Sequence, residues 1–112
     1  MIYARQGDVI IACCDSIPEG AKEVPRQEVP TIGGQQKCYV LAYGEATGHA
    51  HRVMVKDDEV KMYERDGVLY LSVDAPTNVV HEEHAPVRLE PRKYKVWTQS
   101  EYRLGDTFRV LD

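Results

Sequence analysis

An all-β fold, a single antiparallel β-barrel or jelly-roll-like sandwich with little helix, is what this chain predicts, on three observations. Short β-branched or alternating runs recur at roughly 8 to 12-residue intervals with Gly, Pro, Asn or Asp between them, the spacing of small sandwiches and barrels. Apolar residues nowhere keep a 3.6-residue period over three turns, which argues against any long helix. Asp66-Gly67 stands between two alternating runs and is the preferred pair for a two-residue type I′ hairpin turn.

Taken in order, Gly7 to Cys14 is a β-branched apolar run bounded by turn residues and reads as a buried strand. Residues 15 to 36 contain Pro18, Gly20, Pro25, Pro30, Gly33 and Gly34, and predict a long irregular connection with one short strand near Ala21 to Val24. Cys38 to Tyr43 is strand-like, and Gly44 and Gly48 punctuate the passage into a strand over His49 to Val55, where a bend or bulge is expected. In that strand His49, His51, Val53 and Val55 share one face.

From Glu59 to Asp74 the hairpin register is predictable: Arg65 opposite Val68 places Tyr63 opposite Tyr70, Met62 opposite Leu71 and Val60 opposite Val73. Thr77-Asn78 reads as a turn and Val79 to His81 as a short strand. Val87 to Leu89 and Tyr94 to Ser100 read as arms of a hairpin around Glu90-Pro91-Arg92-Lys93, and Phe108 to Leu111 as a last strand.

At 112 residues the chain is long enough for one core, so residues 1–112 are expected to form a single domain. The net charge of −4 is unevenly spread: residues 1 to 85 carry 8 basic and 14 acidic side chains, residues 86 to 112 carry 6 and 4. Because non-specific nucleic-acid binding rests on clustered Lys and Arg, this balance argues against a general DNA or RNA binder and leaves room only for a local patch. Cys13, Cys14 and Cys38 form neither an even disulfide set nor a CxxC spacing and read as reduced thiols. The apolar run Val9 to Cys14 is too short for a signal segment or a membrane span. A cytoplasmic protein without a membrane partner is the expectation.

The four histidines fall in two tight pairs, His49-x-His51 and His81-x-x-His84. On a strand, positions i and i+2 project to one face roughly 6 to 7 Å apart, which suits two imidazoles converging on one ion. Imidazole is a common ligand for Zn, Fe, Mn, Ni and Cu, so the expected cofactor is a divalent transition metal whose identity the residues leave open. Residues at i and i+3 lie on opposite faces of a strand. His81 is therefore the better third ligand, and His84 joins only if Glu82 and Glu83 form a turn. A carboxylate beside a metal-bound water is what general-base chemistry needs, which makes Glu82 the candidate catalytic residue. The competing reading makes Glu82 and Glu83 both solvated edge charges, and Glu45 reads as an orienting neighbour of His49 or His51.

The stretch Pro76-x-Asn78-x-x-His81 resembles the second motif of the cupin family, Pro-x-Gly-x-x-His, with Asn in the place of a turn glycine. Gly44 to His51 resembles the start of the first cupin motif, a glycine followed by HxH, and the order, HxH, hairpin, single histidine 30 residues on, also fits. The resemblance implies a small β-barrel with His49, His51 and His81 as metal ligands, binding or transforming a small molecule. It covers about Gly44 to Ala85 and departs from the family in three places. The interval from Gly to HxH is one residue short, Val55 and Lys56 stand where the family has a glutamate, and Ala85 stands for its later asparagine. Asp57, Asp58, Glu59 and His84 are the residues available in place of the glutamate. The phrases Gly-Glu-Ala-Thr-Gly-His-Ala-His-Arg and Val-His-Glu-Glu-His-Ala-Pro-Val are also similar to those of small uncharacterised bacterial and phage proteins.

Two other readings compete with a metal site. One is a non-catalytic module that oligomerises through exposed sheet edges, with structural or pH-sensitive histidines. The other is a metal-independent acid/base enzyme, for which no nucleophile signature accompanies the histidines.

Overall fold

The clearest turn in the sequence is also the clearest in the fold. Asp66 and Gly67 both take positive φ, 54° and 81°. Each therefore adopts the left-handed backbone of a type I′ turn. They join β7 (Val60–Arg65) to β8 (Val68–Val73) in the expected register, with Tyr63 opposite Tyr70 and Met62 opposite Leu71. The computed structural model describes residues 2–31, 34–43, 49–56 and 58–99, and among them every element is a strand. The remaining strands are β1 (Ile2–Gln6), β2 (Val9–Cys14), β3 (Lys22–Glu23), β4 (Gln27–Thr31), β5 (Gly34–Tyr43), β6 (Ala50–Val55), β9 (Thr77–Val80), β10 (Val87–Leu89) and β11 (Lys93–Thr98).

The strands form two antiparallel sheets, one ordered β1-β2-β11-β8-β7-β3 and the other β10-β9-β6-β5-β4. They do not close into a barrel. The fold is a sandwich, the second of the two architectures expected. Between the sheets lie Val9, Ile11, Val60, Met62, Leu71, Val73, Tyr94 and Val96 from the first and Tyr39, Leu41, Val53, Val55, Val79 and Leu89 from the second. These are the alternate positions of each strand, so burial of one face drives the packing. No helix among the described residues is long and apolar enough to cross a membrane.

Three expectations need correction. The stretch 15 to 36 is more regular than expected: β3 is the short strand expected near Ala21 to Val24, but β4 and the start of β5 also fall within it. Pro30 is accommodated there since β4 is an edge strand, where a missing N–H breaks no central ladder. Val87 to Leu89 and Lys93 to Thr98 do not pair as a hairpin: β10 pairs with β9, whereas β11 crosses to the other sheet between β2 and β8. Tyr94 and Val96 bury between the two sheets by that crossing. Finally, Thr77 and Asn78 begin β9 rather than forming a turn. Asn78 stands opposite Arg88 without the left-handed backbone that the glycine of a Pro-x-Gly turn adopts. The expected strand over Phe108 to Leu111 lies outside the described residues, as do Gly44, Glu45 and Asp57.

Candidate functional site: a four-histidine cluster

β5, β6 and β9 lie side by side, and one end of this group carries the histidines. The β6–β9 ladder pairs Val53 with Val79 and Arg52 with Val80, so one further step sets His51 against His81. Their rings lie 4.3 Å apart between centroids, tilted by 32°. His49 precedes β6, with its ring 5.7 Å from that of His81. The passage from Gly44 to Gly48, where a bend or bulge was expected, lies outside the described residues; a bulge falls earlier, in β5, where Val40 pairs with Arg52 but Ala42 with His51, leaving Leu41 as the extra residue.

The strand of His81 does not continue. β9 stops at Val80 and residues 82 to 84 bend, which is the condition under which His84 was expected to join. Its ring lies 4.8 Å from that of His81 and 5.8 Å from that of His51. The structure thus brings all four histidines together, His84 included.

Two residues that sequence reasoning passed over hold this cluster. Gln6 ends β1 in the opposite sheet and is 2% exposed. Its Nε2 donates to the carbonyls of Val79, at 3.0 Å, and Ala85, at 2.9 Å. Those two bonds fix the amide's orientation, so Oε1 is the acceptor facing His51 Nδ1 at 2.8 Å. His51 must donate that hydrogen bond. Its proton therefore sits on Nδ1, and Nε2 keeps a lone pair. Gly7, next in the chain, has φ +61°, and a Cβ built there would stand 2.9 Å from His84 Nε2 and 3.4 Å from His51 Cε1. The left-handed φ favours glycine here, and a side chain would also push the His84 ring aside.

Burial, and next the neighbouring His81, push His51 down to about 4, so it is a neutral base at physiological pH. Glu82 is set differently. One oxygen accepts the Ala50 N–H at 3.0 Å and the other accepts Arg52 Nη1 at 2.9 Å. The Ala50 amide first and Arg52 second hold its carboxyl down to about 2. A group so acidic is a poor proton shuttle near neutrality but a permanently charged ligand or clip. Glu83 lies outside this clip, its Oε2 3.9 Å from His49 Nδ1, while its backbone N–H donates to His81 Nδ1 at 3.0 Å. In neutral His81 the proton then belongs on Nε2.

The donor atoms of His49, His81 and Glu82 all lie within 4.8 Å of one another. Two imidazoles and an ionised carboxylate match the donor set of catalytic zinc and of non-haem iron sites, with His51 and His84 adjoining. Glu45 and Asp57 lie outside the described residues. Asp58 is engaged by Arg26 Nη2 at 2.7 Å. Arg52 acts here by orienting Glu82.

Fold and site together define the class: an antiparallel β-sandwich with a histidine cluster at one end. Residues 5–99 match the model of the family described as Domain of unknown function (DUF8820), and the chain belongs to that family. No curated protein and no solved structure matches the chain.

Proposed function

We propose that the protein binds a divalent transition metal through His49, His81 and Glu82, with His51 and His84 as adjoining donors, and that the site binds or transforms a small molecule. The observation that carries this reading is the 4.8 Å grouping of the three donor residues. Gln6 supports it, since it orients His51 from outside the donor set, as the partners of metal-bound histidines do. Zn, Fe, Mn and Ni all accept such donors. The small-molecule part rests on the resemblance of the His49-x-His51 stretch to the first cupin motif, since Asn78 stands in β9 and not in the turn of the second. Three free thiols, Cys13, Cys14 and Cys38, fit a reducing compartment such as the cytoplasm.

Metal binding has a structural consequence at Glu83. A metal on His81 Nδ1 displaces the Glu83 N–H, and a metal on Nε2 moves the ring proton to Nδ1, where it opposes the same N–H. Either way that hydrogen bond breaks. Titrating the metal-free protein with Zn²⁺ should move the Glu83 amide resonance in step with the histidine rings and raise the melting temperature with metal concentration. Unchanged melting across Zn, Mn, Ni, Fe and Co, with an unmoved Glu83 amide, would falsify the reading.

A second reading is favoured by one observation, the Gln6 bridge between the sheets. In it the histidines are a structural clasp of a non-catalytic module. Substituting His49 and His51 by Ala would then lower stability without removing any metal.

A further inference from the structure

The six-stranded sheet has a second face, turned away from the core, with its own composition. In β7 and β8 the register sets Lys61 opposite Ser72, Tyr63 opposite Tyr70 and Arg65 opposite Val68. In β11 it sets Lys93 opposite Ser72 and Lys95 opposite Tyr70. Directly paired residues project to the same side of a sheet. The positions alternating with them, Val60, Met62, Leu71, Val73, Tyr94 and Val96, are in the core.

The outer side of these three strands therefore gathers Lys61, Tyr63, Arg65, Tyr70, Lys93 and Lys95. The four cations are exposed and the two tyrosines half-buried. Carboxylates border this face. Glu23 stands opposite Tyr63 on the edge strand β3, Asp58 is held by Arg26, and Asp66 lies 3.6 Å from Arg65 Nε. Among the described residues no carboxylate lies within ion-pair distance of Lys61, Lys93 or Lys95. A chain of net charge −4 thus turns a positive surface outward on one sheet.

We propose that this face binds single-stranded nucleic acid, its bases stacking on Tyr63 and Tyr70 and its phosphates held by Lys61, Lys93 and Lys95. Aromatic side chains on an open sheet, flanked by cations, are how single strands are gripped without reading duplex grooves. A duplex is disfavoured because the face presents no helix to enter a major groove. An acidic polypeptide would use the lysines and leave the adjacent tyrosine rings without a stacking partner. The inference is independent of the histidine cluster.

The test is fluorescence anisotropy of the full chain with a labelled oligonucleotide of about 20 nucleotides, longer than a single-sheet site, as DNA and as RNA. The same sequence as a duplex and poly-glutamate serve as competitors. The single strand should bind, with the logarithm of its binding constant falling linearly with the logarithm of salt concentration. Tyr70→Ala should weaken binding at least about fivefold. Reversing Lys93 and Lys95 to Glu, both exposed and tolerant of change, should abolish it. Arg88→Glu, the same kind of charge change on β10 in the other sheet, should leave it intact. Absence of binding at low salt overturns the proposal. So does wild-type affinity in folded Tyr63→Ala and Tyr70→Ala variants, or displacement by poly-glutamate or duplex as efficient as by the single strand.

Discussion

Replacing Gln6 by Glu keeps the shape of the side chain and reverses the electrostatics of the cluster. The carboxylate accepts but does not donate, so the carbonyls of Val79 and Ala85 lose their partner and face a negative charge. Each buried acceptor left unsatisfied costs about 1–3 kcal/mol. His51 then gains an anion at 2.8 Å in place of an amide oxygen. In the wild type the folded His51 sits at about 4 against an ordinary 6.5. The unfolded chain therefore takes up the proton first, and stability rises by up to roughly 3 kcal/mol as pH climbs from 4 to 7. In the Gln6→Glu protein the new anion raises the folded value, so the gain in stability between pH 4 and 7 shrinks. Urea unfolding of metal-free protein at intervals between pH 4.5 and 7.5 reads the slope directly, with the ring titration of His51 by NMR as the site-specific measure. Wild-type His51 titrating near 6.5, or a variant that keeps the wild-type slope, would contradict this coupling.

Gly7→Ala should destabilise the fold by about 1–2 kcal/mol, because φ +61° is costly for an L-residue, and should weaken metal binding by displacing His84. Urea midpoint and metal affinity measured together check both. Glu82→Gln should flatten acid stability. The wild-type contribution is complete above pH 4.5 and is lost as pH falls toward about 2, and acid unfolding followed by circular dichroism should show this window disappear in the variant. Leu71→Ala, at the centre of the core and fully buried, should cost about 2–5 kcal/mol in urea unfolding without changing the metal content of the folded protein.

Local rules made the hairpin legible. Asp66-Gly67 determines the backbone of a two-residue turn and hence the pairing of every residue from Val60 to Val73. The face shared by His51, Val53 and Val55 was legible for the same reason, since alternation is a local property. What was not legible depended on partners far away in sequence. β11 follows β10 closely yet leaves it for the other sheet, because its alternate residues fill the space between β2 and β8. Gln6 carries no local signal of its role, which comes from His51, Val79 and Ala85, 45 to 79 residues away. Gly7 in Gln-Gly-Asp signals a turn, but not that His84 packs against it. The basic sheet face was hidden differently: Lys61, Lys93 and Lys95 alternate with the apolar residues of their strands, Arg65 stands between two acids, and the acidic total obscures them until the strands are set side by side.

The central claim is that this end of the sandwich holds a metal ion. Elemental analysis of the untagged protein after equilibrium dialysis against each of Zn, Fe, Mn and Ni tests it most directly, alongside the folded double variant His49→Ala/His81→Ala. The account predicts one bound ion per chain in the wild type for at least one of these metals and none in the variant. A wild type that retains no ion, or a variant that retains as much as the wild type, contradicts it.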